Sequence, residues 1–487
     1  MGQFLMTRWI VIGAVVLVCA VGAVRADFEI PEVSEPPLPM RLPTEPGITA
    51  QQAADLQAQI DELKRELARE KFQSTVPVSA GADIAPDLNQ DVDSLLKWKA
   101  SVEKADATAA AKAALKPSVN LGGRFFLDSA VFSQNQQSHD QVGDAENAIK
   151  LRTCWVELKG NVLENTSYRL WFDLSSQVSL LDVYLDFGEL PYVQNVRIGH
   201  FFEPFSMQQL TPNKYLTFME RSSPFLLGRD LGVMAHSDNA DANWTYGVGL
   251  FVSEQSNKPP FYQSDEDSSA ITGRVTYLPW YDEASDGRGL IHLGMGYSWR
   301  HLGDQKLRFR NRPDAALAPY IVDTGNFAAT SYSLGGLEAA YAYGSFILQS
   351  EYHFVSADTN DFGSESFDHY YIQASYVLTG ENRAYNRRSG SFSNRIVPYE
   401  NFFRVRTQDG CIGNGRGAWE VAYRYAHDDL NSDNISGGRD YRHLVGLNWY
   451  LSPFTRAMFE YNYSNTDDTV ASNGILHVFQ MRMQFDF

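Results

Sequence analysis

Cysteine is nearly absent from these 487 residues, with three in all, at Cys19, Cys154 and Cys411. So few cysteines build no disulfide framework. Positive charge is also short: 41 Lys and Arg stand against 59 Asp and Glu, a formal charge of −18. A partner made of nucleic acid is excluded, because it needs a basic face to displace counterions. Long apolar runs are missing beyond the N-terminus. A mean hydropathy of −0.31 is too low for a bundle of membrane helices, each needing ~20 apolar residues. Catalytic signatures are missing as well: there is no H-E-x-x-H, no G-x-S-x-G and no phosphate-binding Gly-Lys loop. The chain therefore reads as no enzyme, with no cofactor and no metal centre. The acidic triplet Asp265-Glu266-Asp267 reads as a solvated loop, since a calcium site needs ligands at defined spacing. What these absences leave open is a membrane β-barrel, whose strands show lipid only every second residue. The 29 Phe, 25 Tyr and 36 Gly point the same way, to a β-rich chain.

The N-terminus reads as an export signal. Arg8 precedes the apolar run from Trp9 to Val21, and Val24-Arg25-Ala26 offers a cleavage site after Ala26. Residues 1–26 are thus expected to be a signal peptide, leaving Cys154 and Cys411, with one disulfide open to them. Residues 27–47 form a Pro-rich spacer around Pro31, Pro36, Pro37, Pro39, Pro43 and Pro46. In the helical segment 48–117, Ala53, Leu56, Ile60, Leu63 and Leu67 recur at spacings of three and four, the seam of a short coiled coil. A single amphipathic helix lying on the protein is the other reading of that pattern. The segment ends at Pro117.

From residue 118 the period changes to two. Phe479, Met481, Met483, Phe485 and Phe487 alternate with Gln480, Arg482, Gln484 and Asp486. Similar stripes run through Trp419-Val421-Tyr423-Tyr425, Val445-Leu447-Trp449-Leu451 and Ala457-Phe459-Tyr461-Tyr463. Counting back from Phe487 gives sixteen segments, an even number as a closed antiparallel barrel requires. Connections alternate between short turns, such as Tyr343-Gly344-Ser345, and longer polar stretches, expected at 428–440 and 464–473. One stretch, 379–416, breaks this alternation: it falls on the short-turn side yet is far too long for a turn. The expected fold is all-β: a sixteen-stranded antiparallel transmembrane β-barrel over 118–487, with a short N-terminal α-helical coiled-coil stalk. The terminal Phe487 reads as a handle for barrel-assembly machinery.

The pieces Gly199-His200-Phe201-Phe202-Glu203-Pro204-Phe205-Ser206, Leu210-Thr211, Phe218-Met219-Glu220-Arg221 and Gly228-Arg229-Asp230-Leu231-Gly232 resemble the phosphate-selective porin O and P family. Gly344-Ser345-Phe346, Leu378-Thr379-Gly380-Glu381 and Gly417-Ala418-Trp419-Glu420 follow in the family's order. Phe202 stands where many relatives carry lysine. The resemblance implies a sixteen-stranded trimeric outer-membrane porin, with loops and a long periplasmic turn folded into the lumen.

Selectivity in such a channel is set by charges at its constriction. Residues 118–487 carry a net charge of −14, but the stretch 379–416 is net +4, through Arg383, Arg387, Arg388, Arg395, Arg404, Arg406 and Arg416. Arginine grips oxyanions through a planar fork and keeps its charge in any surroundings. All of these but Arg416 are pore and anion-binding candidates. Lys214, Arg221 and Arg229 in 202–230 join them, as do Lys306, Arg308, Arg310 and Arg312 in 301–331. The alternation Arg308-Phe309-Arg310 puts both guanidinium groups on one side of an extended segment. The function expected is a porin for passive diffusion of small solutes, preferring anions, with phosphate-like oxyanions among them. A structural or adhesin barrel with a plugged lumen is the alternative. The partners expected are outer-membrane lipid, small anions or polar solutes and two further copies in a homotrimer. The expected location is the outer membrane of a diderm bacterium, with the stalk in the periplasm.

Overall fold

The computed structural model describes residue 99 and residues 117–487, apart from 177, 238, 240, 242, 253–267, 304–305 and 407–411. The expected signal peptide, spacer and coiled-coil seam lie outside the described residues. So do Cys411 and the triplet 265–267.

Sixteen long strands make one closed antiparallel sheet among the described residues. The first half comprises β1 (Asn120–Gln134), β2 (Ala148–Leu163), β3 (Thr166–Asp173), β4 (Ser179–Leu190), β5 (Gln194–Phe202), β6 (Arg229–His236), β7 (Trp244–Val252) and β8 (Ser269–Tyr281). The second comprises β9 (Gly289–His301), β10 (Phe327–Tyr343), β11 (Phe346–Thr359), β12 (Gly363–Val377), β13 (Ala418–Asn431), β14 (Ser436–Ser452), β15 (Thr455–Asp467) and β16 (Gly474–Asp486). Each pairs with its neighbour in sequence, and β1 pairs with β16 from Arg124↔Asp486 to Gln134↔Leu476. That last ladder removes both sheet edges.

The strands form because the alternation fits a wall with lipid on one side. On β9, Ile291, Leu293, Met295, Tyr297 and Trp299 are exposed, while His292, Ser298 and Arg300 between them are buried. On β16, Phe479 and Phe485 are exposed and Gln480, Arg482, Gln484 and Asp486 are buried. Rings gather where the strands leave the apolar band. At the end bearing both termini of the barrel, Trp419 stacks on Trp449 at 4.8 Å and Trp280 on Tyr341 at 6.4 Å. Trp299, Tyr352, Phe354 and Tyr441 mark the opposite level. Connections at the terminal end are tight: Gly344, with φ +59°, turns β10 into β11 in two residues.

Two expectations about connections are corrected. Strands β13 and β14 continue through Asp429↔Arg439 to Asn431↔Ser436, leaving only 432–435 as the turn where 428–440 was expected. Likewise, β15 runs on to Asp467, so the connection to β16 is 468–473. These polar stretches read as loop, yet the ladder holds them, because their inward carboxylates meet buried guanidinium groups. Asp428 and Asp440, for example, lie 2.9 and 3.0 Å from Arg442. A short helix, α1 (Gln136–Val142), caps the connection after β1, with the Asn135 side chain accepting from the Ser138 N–H at 2.8 Å.

Candidate permeation site

Three connections fold into the barrel and bond to its inward-facing wall residues. The first, 203–228, enters from the end opposite the termini. A four-residue helix, α2 (Met207–Leu210), is capped by the Ser206 hydroxyl. That hydroxyl and the Gln208 N–H donate to Glu351 of β11 at 2.6 and 2.8 Å. Arg221 ties the loop to itself, donating to the carbonyls of Gln208, Gln209 and Thr211. Phe205, Met207, Phe218 and Met219 are fully buried. Glu220 receives Arg152 of β2 at 3.2 Å and Arg482 of β16 at 2.8 Å. Burial pushes its carboxyl up, but these two guanidinium groups outweigh that and hold it down at about 2.

The second connection, 302–326, packs over the first. Its Asp314 meets Arg424 of β13 and Arg442 of β14, each at 3.2 Å. Asn311 donates to the carbonyl of Ser222 at 2.6 Å, so the two loops are joined. Short ladders, Arg310–Asn311 with Val322–Asp323, keep it folded.

The third, 378–417, rises from the terminal end. Arg383 is buried against Glu420 at 3.0 Å, and the Tyr385 hydroxyl lies 2.7 Å from His292 Nδ1. Arg274 of β8 grips Glu338 through two 2.7 Å bonds while donating to the carbonyls of Ser389 and Gly390. Gly390, at φ +59°, approaches so closely that a Cβ there would meet the Thr276 hydroxyl oxygen at 2.8 Å. The tip is thereby fastened to the wall.

The space left is a cavity of about 510 Å³. Among the described residues, every wall residue lining it comes from β1–β8. Loop 203–228, the stretch 386–393 and Ser237 of the β6–β7 connection supply the rest. Strand residues Arg124, Lys159, Arg169, Arg197 and Arg274, loop residue Lys214 and turn residue Arg388 face it, against the carboxylates of Glu157 and Asp182. Those carboxylates are already engaged: Arg169 lies 2.7 Å from Glu157 and 3.0 Å from Asp182, and Arg229 lies 2.5 Å from Asp182. Aromatic faces carry the excess of cations. Trp171 alone has Arg124 and Arg169 at 4.5 Å and Arg229 at 5.2 Å from its ring, and Arg197 lies 4.2 Å over Tyr184. These contacts hold the guanidinium groups in place together with their ion pairs, Arg169 to Glu157 and Asp182 and Arg197 to Asp186. Burial lowers the Lys214 ammonium, with Asp486 at 3.0 Å opposing and Arg124 and Arg395 adding to the lowering.

Of the residues singled out in the sequence, Lys214 and Arg388 line this cavity. Arg229 lies just behind its wall, 3.8 Å over the ring of Phe202. Arg221 and Arg383 hold the loop and the turn. Arg387 pairs with Glu283 at 2.9 Å, while Arg395 pairs with Asp486 and donates to the Pro453 carbonyl. Arg308 and Arg310 do share one exposed side, away from buried Phe309. There Arg308 pairs with Asp323, and Arg310 and Arg312 lie over Tyr320 at 4.0 and 4.3 Å. Lys306 and Arg404 are exposed, and Arg406 is described only as backbone of a short ladder with Ile412.

Arg124, Lys159, Arg169, Arg197 and Arg274 were missed. Each is a cation set between apolar or small neighbours on a spanning strand, as in Val196-Arg197-Ile198. In a membrane wall that pattern marks an inward charge.

A closed even-numbered barrel with an apolar belt, aromatic rims and a charged lumen narrowed by inward loops defines an outer-membrane channel. Residues 119–487 match the family described as phosphate-selective porin O and P, and the chain belongs to that family. It is thus a porin of the bacterial outer membrane. Porin O of Pseudomonas aeruginosa is 26% identical over 433 residues, covering 82% of this chain and 93% of that one. Among solved structures, an anion-selective porin from Comamonas acidovorans aligns over 76% of this chain and all of its own, at 14% identity and a TM-score of 0.46. The outer membrane channel DcaP of Acinetobacter baumannii aligns over 76% of this chain and 98% of its own, at 11% identity and a TM-score of 0.44.

Proposed function

We propose that this porin is an anion-preferring diffusion channel whose solute path runs through the cavity against β1–β8. The observation that carries the reading is the balance of charge there: seven Lys and Arg side chains line the space against two carboxylates, and Asp186, Glu338 and Asp486 pair Arg197, Arg274 and Lys214 from behind the lining, which still leaves the cations in excess. At physiological ionic strength bulk charge is screened over ~8 Å, so the net −14 of residues 118–487 matters less than the charges a solute touches. Phosphate-like oxyanions suit a wall of guanidinium groups held by rings, since each offers two parallel donors. Residues 48–117 are proposed to form a periplasmic coiled-coil stalk joining three copies.

The test is the reversal potential of single channels in a KCl gradient, repeated in phosphate. Replacing Arg169, Arg197 and Arg388 with Ser should shift it towards cations. Replacing Lys306, Arg308 and Arg310 should move it little. A shift caused only by the second set overturns this path. A barrel without stable open steps favours the plugged alternative, for which the three inward connections are the supporting observation.

A further inference from the structure

The outer face of the barrel carries a polar cluster that the solute path does not use. Asp368 on β12 and Asp429 on β13 are register partners, and His427 lies opposite Tyr370 on the same two strands. All three share the parity of Ile372 and Tyr376 on β12 and of Val421 and Tyr423 on β13, which are exposed on the outer wall. His427 lies level with Tyr370, and Asp368 and Asp429 lie beyond it towards the end opposite the termini, where the aromatic level gives way to the aqueous rim.

One ligand atom from each of Asp368, His427 and Asp429 falls within 4.8 Å of the other two. The imidazole is oriented for this. His427 Nδ1 lies 2.9 Å from the carbonyl oxygen of Asp440. A carbonyl only accepts, so Nδ1 carries a proton, and Nε2 is the ring nitrogen left to bind a metal. The ring is held by stacking on Tyr441, with centroids 4.5 Å apart at 18°, and by the edge contact with Tyr370 at 5.4 Å. A histidine with one nitrogen tied to a backbone carbonyl has its ring orientation fixed, as metal-ligating histidines do. Asp429 accepts from the Asn431 N–H at 3.0 Å and from Arg439 Nε at 2.7 Å, which leaves about two of its four lone-pair positions. The Tyr352 hydroxyl reaches Asp368 at 3.5 Å.

We propose that Asp368, His427 and Asp429 form a binding site for a divalent transition cation of the zinc type. An imidazole nitrogen with two carboxylates suits such an ion, whereas calcium and magnesium favour larger all-oxygen sets. Three protein ligands leave one tetrahedral position for water. Bonds of ~2.1 Å require ligand separations of ~3.4 Å, so separations of up to 4.8 Å close by up to about 1.4 Å. The two aspartates are only partly buried and have the rotamer freedom for it. Arg439 is the built-in competitor, occupying Asp429 when no cation does. The bound ion clamps β12 to β13 at the outer rim.

The experiment uses the purified full-length protein in detergent, with Zn²⁺ as the probe and a chromophoric chelator as competitor. The wild type should show a saturable equivalent that weakens by about tenfold or more in His427→Gln and in Asp368→Asn. Arg439→Gln should tighten it. Zn²⁺ should raise the thermal midpoint of the wild type and not that of His427→Gln. Both ligand variants should keep heat-modifiable gel mobility and wild-type conductance, because neither side chain faces the lumen. Zn²⁺ affinity unchanged in His427→Gln, or Zn²⁺ displaced by equimolar Ca²⁺, overturns the proposal.

Discussion

Glu220, on the loop that enters the lumen, lies 2.8 Å from Arg482 on the strand that closes the barrel. Arg482 in turn grips Asp128 of β1 through two 2.7 Å bonds. One guanidinium therefore joins the closing ladder to the constriction. Glu220→Gln removes the charge that Arg152 and Arg482 share, and losing charge-assisted hydrogen bonds at a half-buried carboxylate costs on the order of 2 kcal/mol. The loop should loosen while the barrel stays closed. Single-channel records should show added flicker, with heat-modifiable mobility retained.

The same carboxyl sets an acid limit. Its folded value is about 2, below the ordinary 4.5. A depressed carboxyl contributes its full stabilisation above its ordinary value and loses it as pH falls through the folded one. Channel noise should therefore be flat from pH 7 to about 5 and rise between about 4 and 2. In Glu220→Gln this acid-dependent increment should be absent.

Gly390 is predicted to be intolerant of a side chain. Its φ of +59° and the 2.8 Å approach to Thr276 leave no room for valine, and strain of this kind costs about 1–3 kcal/mol. Gly390→Val should undock the tip from Arg274. Conductance should become larger and more variable, and a wild-type trace would count against the tip as part of the constriction.

Phe487 is held by Gly123 through hydrogen bonds in both directions, at 3.0 and 3.1 Å. Deleting it removes the aromatic end that assembly is proposed to grip, and it frees the start of β1. The yield of heat-modifiable barrel in the outer membrane should fall several-fold. Undiminished yield would sink the assembly role.

Leu63 lies in the proposed trimer seam. Leu63→Asp should reduce chemical crosslinking between the N-terminal segments of full-length protein while single-channel conductance persists. Crosslinking equal to wild type argues for the single amphipathic helix instead.

The wall was legible in the sequence because lipid imposes a strict period of two. The stripe from Phe479 to Phe487 and its polar partners map directly onto the two faces of β16. The extended ends of β13 and β14 were not legible, since Asp428, Asp429, Asn431 and Arg439 have loop composition. Their ladder depends on partners such as Arg442, which meets Asp428 and Asp440 only once β13 and β14 pair. The cavity was half legible for a related reason. Lys214 and Arg388 stand out in cation-rich connections, whereas Arg169 and Arg197 are single charges inside apolar strands. Asp368 and His427, 59 positions apart in the chain, show nothing of their proximity until β12 and β13 pair.

The cavity is lined by β1–β8 and, among the described residues, by none of β9–β16. The circumference of the barrel therefore does not fix the width of the passage. Width is a property of how far two loops and one turn lean across, and each leans from anchors on walls that lipid never meets. A lineage can thus change what it admits by exchanging a few loop residues, with no change in strand number, belt or insertion route. The membrane-facing and the solute-facing halves of each strand are free to diverge at separate rates.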